Sequence, residues 1–512
     1  MPGEAVLGID VGTSSTKGVL VDRGDGRIIA VAVRQHAPSR PGVGFVEMDA
    51  EQWWSECRGI AAELAAVAVL HGVRIVAVGV SGMGPCTVVT DEHDRPVGAA
   101  ILYGVDTRAT EQIAQLHDEL DPAIVDAAGG PLTSQAVGPK LRWIEQHEPW
   151  RLDGRRRLHG VSSFIAARLT GRWMLDHHSA SQCAPLYDQR VGDWSEPARA
   201  LVAEWIELPP LGWPGDRVGT VTATAAEATG LAIGTPVVLG TVDAWAESVA
   251  VGAIGPGDLM LMYGTTFFLI ATADRARRAP GMWSTVGVRR GTSNLAGGLA
   301  TSGAVTRWAG ALTGRGEAEL VAAAGEVPVG SRGLLALPYF AGERTPIQDP
   351  DARGAIVGLG LEHGPAEIAR ALIESVALAV RHNLDVLVGS GAAVTVADAI
   401  GGGSSSEVWT RIVADATGVP QRLRRERIGA SHGMAMLAAA EHGEAPIERW
   451  NPVVAVVEPD PSARAGYDRL STRFRELYPA TRDIVHALVD DERASETVLA
   501  AADHERNRNA DV

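Results

Sequence analysis

Residues 6–21, Val6-Leu7-Gly8-Ile9-Asp10-Val11-Gly12-Thr13-Ser14-Ser15-Thr16-Lys17-Gly18-Val19-Leu20-Val21, run from an apolar segment through an acid, a glycine and four hydroxyl residues into a second apolar segment. The pattern predicts a β-hairpin whose turn carries chemistry. Gly12 lets a ligand approach the backbone with no Cβ in the way. Thr13, Ser14 and the next two hydroxyl residues offer side-chain and main-chain donors of the kind that cradle phosphate. Asp10, at the mouth of the turn, is placed to hold a hydrated magnesium ion, and Lys17 follows on the returning strand. An ordinary hairpin with Asp and Ser in its turn is the competing reading. A P-loop is excluded, because Thr16 stands where that motif needs glycine and Gly18 where it needs Ser or Thr.

The chain has 512 residues, too many for one core, and two to four domains are expected. A hydrophobic content of 46% with 21% charged residues belongs to a soluble globular protein. No apolar run approaches a membrane span and no basic-then-apolar leader opens the sequence, so a cytoplasmic enzyme is expected. The net charge of −16 argues against nucleic acid or an anionic membrane as partner. Cys57, Cys86 and Cys183 have no metal spacing and read as buried small hydrophobes.

Downstream of the hairpin, Asp49 with Gln52 predicts a capping box for a helix over about 50–71. The β-branched run from Arg74 to Val80 then ends in Ser81-Gly82-Met83-Gly84. Strand, helix and strand in this order indicate an α/β domain with ligand loops beyond the strand ends. The stretch Tyr103-Gly104-Val105-Asp106-Thr107-Arg108 offers two charges, fitted either to a polyol or to a surface ion pair. Residues 112–150 read as helical, broken at Pro131-Leu132 and at Gly138-Pro139. His177 and His178 lack a third ligand and read as structural.

The second half opens with a strand, 236–242, that delivers Asp243 at its exit, as an acid, as a helix N-cap, or as both. The segment 258–270 then repeats the opening layout of apolar strand, Gly264-Thr265 turn and apolar strand, which predicts a duplicated architecture. Two more glycine turns follow, Gly303 with Thr306, and Gly401-Gly402-Gly403-Ser404, each before a helix start that suits an anion. Pro365 to Val388 is the clearest helix, and the polar end from about Asp490 is expected to be frayed or disordered.

These segments, with Gly138-Pro139-Lys140-Leu141-Arg142-Trp143-Ile144 and Gly342-Glu343-Arg344-Thr345-Pro346, resemble the FGGY carbohydrate kinases over about 7–440, and within them the xylulokinase-type pentulose kinases. The resemblance implies two duplicated actin/hexokinase-like (ribonuclease H-like) α/β domains with a cleft between them. The expected divisions are a sugar-binding domain over 1–245, a nucleotide-binding domain over 246–455, and an extension over 456–512. It implies ATP and Mg2+, with Asp10 on the metal and Asp243 as catalytic base. Gly12, Thr13, Gly264 and Thr265 would clasp the phosphates, with Ser14 and Lys17 beside them. Gly303, Thr306, Gly402, Gly403 and Ser404 would line the nucleotide. Met83, Asp106, Arg108 and Asp243 would meet the sugar.

The chain departs from the xylulokinase pattern at Ser81-Gly82-Met83-Gly84, in place of Gln-Met-His-Gly, and at 103–108, in place of Trp-Asn-Asp-x-Arg. The activity implied is transfer of the γ-phosphoryl group of ATP to a ketopentose such as xylulose. Another sugar, a polyol or a sugar acid is the alternative substrate. An ATP-driven binding protein of the same fold is the third reading, and a homodimer is compatible with all of them.

Overall fold

A computed structural model describes residues 3–443 and 445–510, with side chains to residue 494. Its first mixed sheet contains β1 (Gly3–Val11), β2 (Ser15–Asp22), β3 (Ile28–Gln35), β4 (Val73–Gly82), β5 (Arg217–Thr220) and β6 (Pro236–Val238), in the order β5-β6-β4-β1-β2-β3. β1 pairs antiparallel with β2 and parallel with β4, and β4 pairs parallel with β6.

The second sheet repeats this plan. Its strands are β7 (Leu259–Tyr263), β8 (Phe267–Ala273), β9 (Trp283–Val286), β10 (Ser293–Leu299), β11 (Ala397–Ile400), β12 (Gln421–Arg424) and β13 (Val453–Val457), ordered β9-β10-β8-β7-β11-β12-β13. β7 is antiparallel to β8 and parallel to β11, and β11 is parallel to β12. The duplication expected from the two Gly-Thr hairpins is therefore present in the strand topology.

The alternation of side chains along β1 explains how its sheet is covered. Ala5, Leu7, Ile9 and Val11 turn to the face packed by α1 (Ala50–Leu70), where Trp53, Ile60 and Leu64 meet them. Val6 turns to the opposite face, covered by α6 (Ala430–Ala440) with Met434, Ala435 and Ala438. Gly8 lies on that same face, where a Cβ would stand 1.9 Å from the Ser431 carbonyl oxygen. A helix late in the chain, inside the expected 246–455 division, thus covers one face of the first sheet. α4 (Pro365–Gly389) fills the core of the second sheet with Leu372, Ile373, Val376 and Val380.

Local expectations are corrected in three places. The Asp49 carboxylate accepts from the Glu51 amide, while the Gln52 side chain turns to Glu56, so no reciprocal box forms. Gly138 and Pro139 lie inside the first turn of the helix Val137–His147 and open it instead of breaking it. The final helix, α7 (Arg464–Ala510), continues past Asp490, where the polar composition suggested a frayed or disordered end; Val489 is buried and Arg493 pairs with Asp351. The three cysteines are free and buried. No helix among the described residues is long and apolar enough to cross a membrane.

Candidate active site

The carboxyl ends of the parallel strands β1, β4 and β6 converge on one edge of the first sheet, the usual location for ligand loops in such sheets. Asp10 lies opposite Ser81 in the β1–β4 register, and the Ser81 hydroxyl donates to Asp10 Oδ1 at 2.8 Å. The Met83 amide donates to the Val11 carbonyl at 2.8 Å, which ties the loop after β4 to the first hairpin. Beyond β6, Asp243 opens α2 (Asp243–Ala250), and its Oδ1 accepts from the Ala244 amide at 2.7 Å. Val242 occupies the cap position, so Asp243 is the first helical residue and its carboxylate points off the helix start.

The site concentrates negative charge. Burial raises the Asp10 pKa, and the neighbouring Asp243 raises it further, against a lowering by Ser81 and Lys17. Burial likewise raises Asp243, so its environment is more perturbed than its role as a base required from sequence. Glu247, one turn along α2 and absent from the sequence-based set, is pushed up to about 8 by burial, then by Asp243 and Asp10. Its Oε2 is buried without a hydrogen-bond partner, and a Cβ on Gly429 would stand 2.4 Å from its Oε1. The i, i+4 spacing from Asp243 was the available signal, since it puts both acids on one helix face.

The first hairpin turn closes with the Gly12 amide donating to the Ser15 carbonyl at 3.0 Å. Thr13 Oγ1 lies 2.9 Å from the Tyr103 hydroxyl, Ser14 is exposed, and Lys17 is half-buried opposite Asp10 in the β1–β2 register.

The second hairpin turn and the two later glycine turns share one pocket of about 730 Å³. The amides of Ser302 and Gly303 donate to the carbonyls of Thr265 and Gly264 at 2.9 and 3.0 Å, which fixes the hairpin against α3 (Ala304–Thr313). Gly401 has φ +89° and packs against Tyr263, where a Cβ would lie 2.5 Å from the Tyr263 carbonyl oxygen. Gly264, Thr265, Gly303, Gly402 and Gly403 therefore line one space. Ala318, Val321, Ala322, Val408 and Trp409 supply an apolar wall there, and Arg307 a cation. Its Nη2 donates to Thr265 Oγ1 at 3.1 Å.

Other expected contacts are placed differently. Thr306 is fully buried, with its hydroxyl oxygen 2.5 Å from Glu317 Oε1 and 2.8 Å from the Gly303 carbonyl oxygen, so it braces the helix start. Ser404 is buried with its hydroxyl on the Gly401 carbonyl. Asp106 and Arg108 are buried against each other, with the guanidinium also on Glu47 and stacked 4.1 Å from the Phe45 ring. Neither is the surface pair or the free polyol contact that the sequence allowed. The Asp106 carboxylate also accepts from the Val46 amide at 2.6 Å, which makes the pair the anchor of its loop. The Met83 side chain is buried and lines a small cavity behind the loop. His178 is buried, with Nδ1 2.7 Å from the Val286 carbonyl, in keeping with a structural role.

Residues 5–250 match the N-terminal domain of the FGGY family of carbohydrate kinases, and residues 259–442 match its C-terminal domain. The chain is 29% identical over 481 residues to a xylulose kinase of Escherichia coli, covering 92% of this chain and 98% of the relative. A glycerol kinase of Nocardia farcinica is 30% identical over 406 residues, covering 75% and 78%. The crystal structure of a xylulose kinase from Rhodospirillum rubrum superposes with a TM-score of 0.87 at 34% identity, covering 94% of this chain and 100% of that one. The chain belongs to the FGGY family of carbohydrate kinases.

Proposed function

We propose that this enzyme transfers the γ-phosphoryl group of ATP to a primary hydroxyl of a ketopentose such as xylulose. The observation that carries the reading is the closeness of the buried Asp10 and Asp243 at the end of the first sheet, in a chain that repeats the Gly-Thr hairpin in its second sheet and is similar along almost its whole length to proteins named xylulose kinases. Family membership sets aside the ATP-driven binding protein, because these domains are those of carbohydrate kinases.

Phosphoryl transfer has a loose transition state, so alignment and charge stabilisation carry most of the catalysis. In this reading Asp243 accepts the proton of the attacking hydroxyl. The amides of the Gly12-Thr13 and Gly264-Thr265 turns hold the phosphate oxygens, and Lys17 offsets the carboxylate charge near Asp10. The apolar wall of Val321, Ala322 and Val408 fits the adenine face. Closing the two domains over the cleft keeps water from the reacting phosphoryl group.

The donor set fits a hydrated Mg2+. Burial raises Asp10, Asp243 and Glu247, and neighbouring carboxylates raise Asp10 and Glu247 further, a setting in which a nearby cation would be favourable. No three His, Cys, Asp or Glu side chains among the described residues are arranged to grip a bare ion, and Mg2+ commonly keeps several waters. Asp10 would hold it through those waters, and when bound it neutralises the charge developing on the phosphates.

A second reading, a kinase for another sugar, a polyol or a sugar acid, is favoured by the loop after β4. Ser81 spends its hydroxyl on Asp10 and Met83 is turned inward, so that loop gives the substrate few side-chain hydrogen bonds. ADP release with Mg-ATP across pentuloses, hexuloses, polyols and sugar acids separates the two. Stimulation by xylulose supports the first reading, and stimulation by glycerol or gluconate without xylulose supports the second.

A further inference from the structure

We infer that His36 is a positioning residue for phosphoryl transfer, which by holding the Gly12 carbonyl aims the Thr13 amide into the cleft. The inference rests on the kinase reading above.

His36 directly follows β3, and its side chain is fully buried. Its amide donates to the Ser14 carbonyl at 3.0 Å, and its ring Nε2 lies 2.9 Å from the Gly12 carbonyl oxygen. A carbonyl can only accept, so the Nε2–H donates. On the other side of the ring, Nδ1 lies 2.8 Å from Glu56 Oε2 on α1. Glu56 also accepts from the Thr16 hydroxyl at 2.6 Å and from the Gln52 amide at 3.0 Å. The ring is therefore fixed at both nitrogens, and α1 is the anchor.

The consequence follows from the planar trans peptide. The C=O of Gly12 and the N–H of Thr13 belong to one rigid unit and point in opposite directions. With the carbonyl held toward α1, the Thr13 N–H faces away from α1. Thr13 Oγ1 lies 2.9 Å from the Tyr103 hydroxyl, and the Tyr103 environment includes Asp243, so the Thr13 end of this unit belongs to the candidate site. Gly12 has no Cβ to restrict its dihedrals, so the bond from the His36 ring adds a restraint on this unit beyond the backbone bonds that close the turn. If His36 merely packs the hairpin on α1, its loss would lower stability and leave catalysis per folded molecule intact.

The test compares His36→Ala, His36→Gln and the wild type in kcat, in KM for Mg-ATP and for the sugar, and in Tm. His36→Ala is expected to lower kcat about 10–100-fold, a loss on the scale of one misaimed donor, with the sugar KM within about threefold. His36→Gln, whose amide can reach the same carbonyl, is expected to recover most of that loss. Wild-type kcat per folded His36→Ala molecule would overturn the inference, as would equal impairment of both variants. Calorimetric titration with a non-hydrolysable ATP analogue and with ADP gives a reading that needs no sugar. His36→Ala should weaken the analogue several-fold and ADP little; an unchanged analogue Kd overturns the inference. Absence of sugar-stimulated ADP release in the wild type would instead overturn the kinase reading.

Discussion

The Ser81 hydroxyl donates to Asp10 Oδ1 at 2.8 Å, joining the ends of two parallel strands beside the Asp243 carboxylate. This bond favours the carboxylate form of Asp10, against the burial and the Asp243 charge that favour the neutral one. Ser81→Ala should therefore raise the Asp10 pKa. The expected outcome is an acid limb of the kcat/KM profile displaced to higher pH, with activity at pH 8 reduced only a few-fold. A pH-rate profile of the variant checks it, and an unmoved acid limb would contradict the role given to the bond.

Glu247 makes the opposite use of pH. Its folded pKa of about 8 lies above its ordinary value of 4.5, so the folded protein holds the extra proton. The stability tied to that proton is present below about 4.5 and is lost as pH rises toward about 8. Glu247→Gln removes the charge that must be buried at high pH. Without Mg2+, its Tm should match the wild type at pH 5 and exceed it by about 3 °C or more at pH 8. Added Mg2+ should narrow the gap by stabilising the wild type. Thermal melts across pH, with and without the ion, measure both effects.

Arg307 is exposed and donates to Thr265 Oγ1 at 3.1 Å in the pocket proposed to take the nucleotide. Arg307→Ala should raise KM for Mg-ATP about tenfold, the cost of one charge-assisted hydrogen bond, and leave the sugar KM unchanged. Initial rates with each substrate varied in turn report this split.

The packing of α6 on β1 depends on Gly8 having no side chain. Gly8→Ala would drive a Cβ into the Ser431 carbonyl, 1.9 Å away, and into the Ala435 amide, 2.6 Å away. Both are backbone atoms that no rotamer change can move aside. A loss of more than about 3 kcal/mol is expected, read as a lowered denaturant midpoint or as insoluble protein.

The parts of the site that sequence made legible are those that depend on local pattern. The hairpins at Asp10–Lys17 and Tyr263–Phe267 announce themselves by apolar strands around a Gly-Thr turn, and the structure pairs them as expected. The helix over 365–388 is recovered to within one residue because its apolar positions keep one period. What sequence could not give are relationships set by the third dimension. Asp106 and Arg108 look like free charges until Glu47 and Phe45 are brought over them. Thr306 and Ser404 sit in glycine-rich turns, but their hydroxyls close those turns from within. His36 follows an unremarkable strand, and only the folded hairpin and the approach of α1 give its ring two partners. α6 comes after residues 246–429, a long run of second-half sequence, before the chain returns to the first sheet, which no local pattern records.

The most direct test of the account is Asp243→Asn, assayed for sugar-stimulated ADP release beside calorimetric titration with Mg-ATP. Loss of a positioned base should lower kcat by about 10²–10⁴-fold, while the amide keeps the shape of the helix start and Mg-ATP binds with its Kd little changed. Retention of most of the turnover would contradict the assignment of Asp243 as the base.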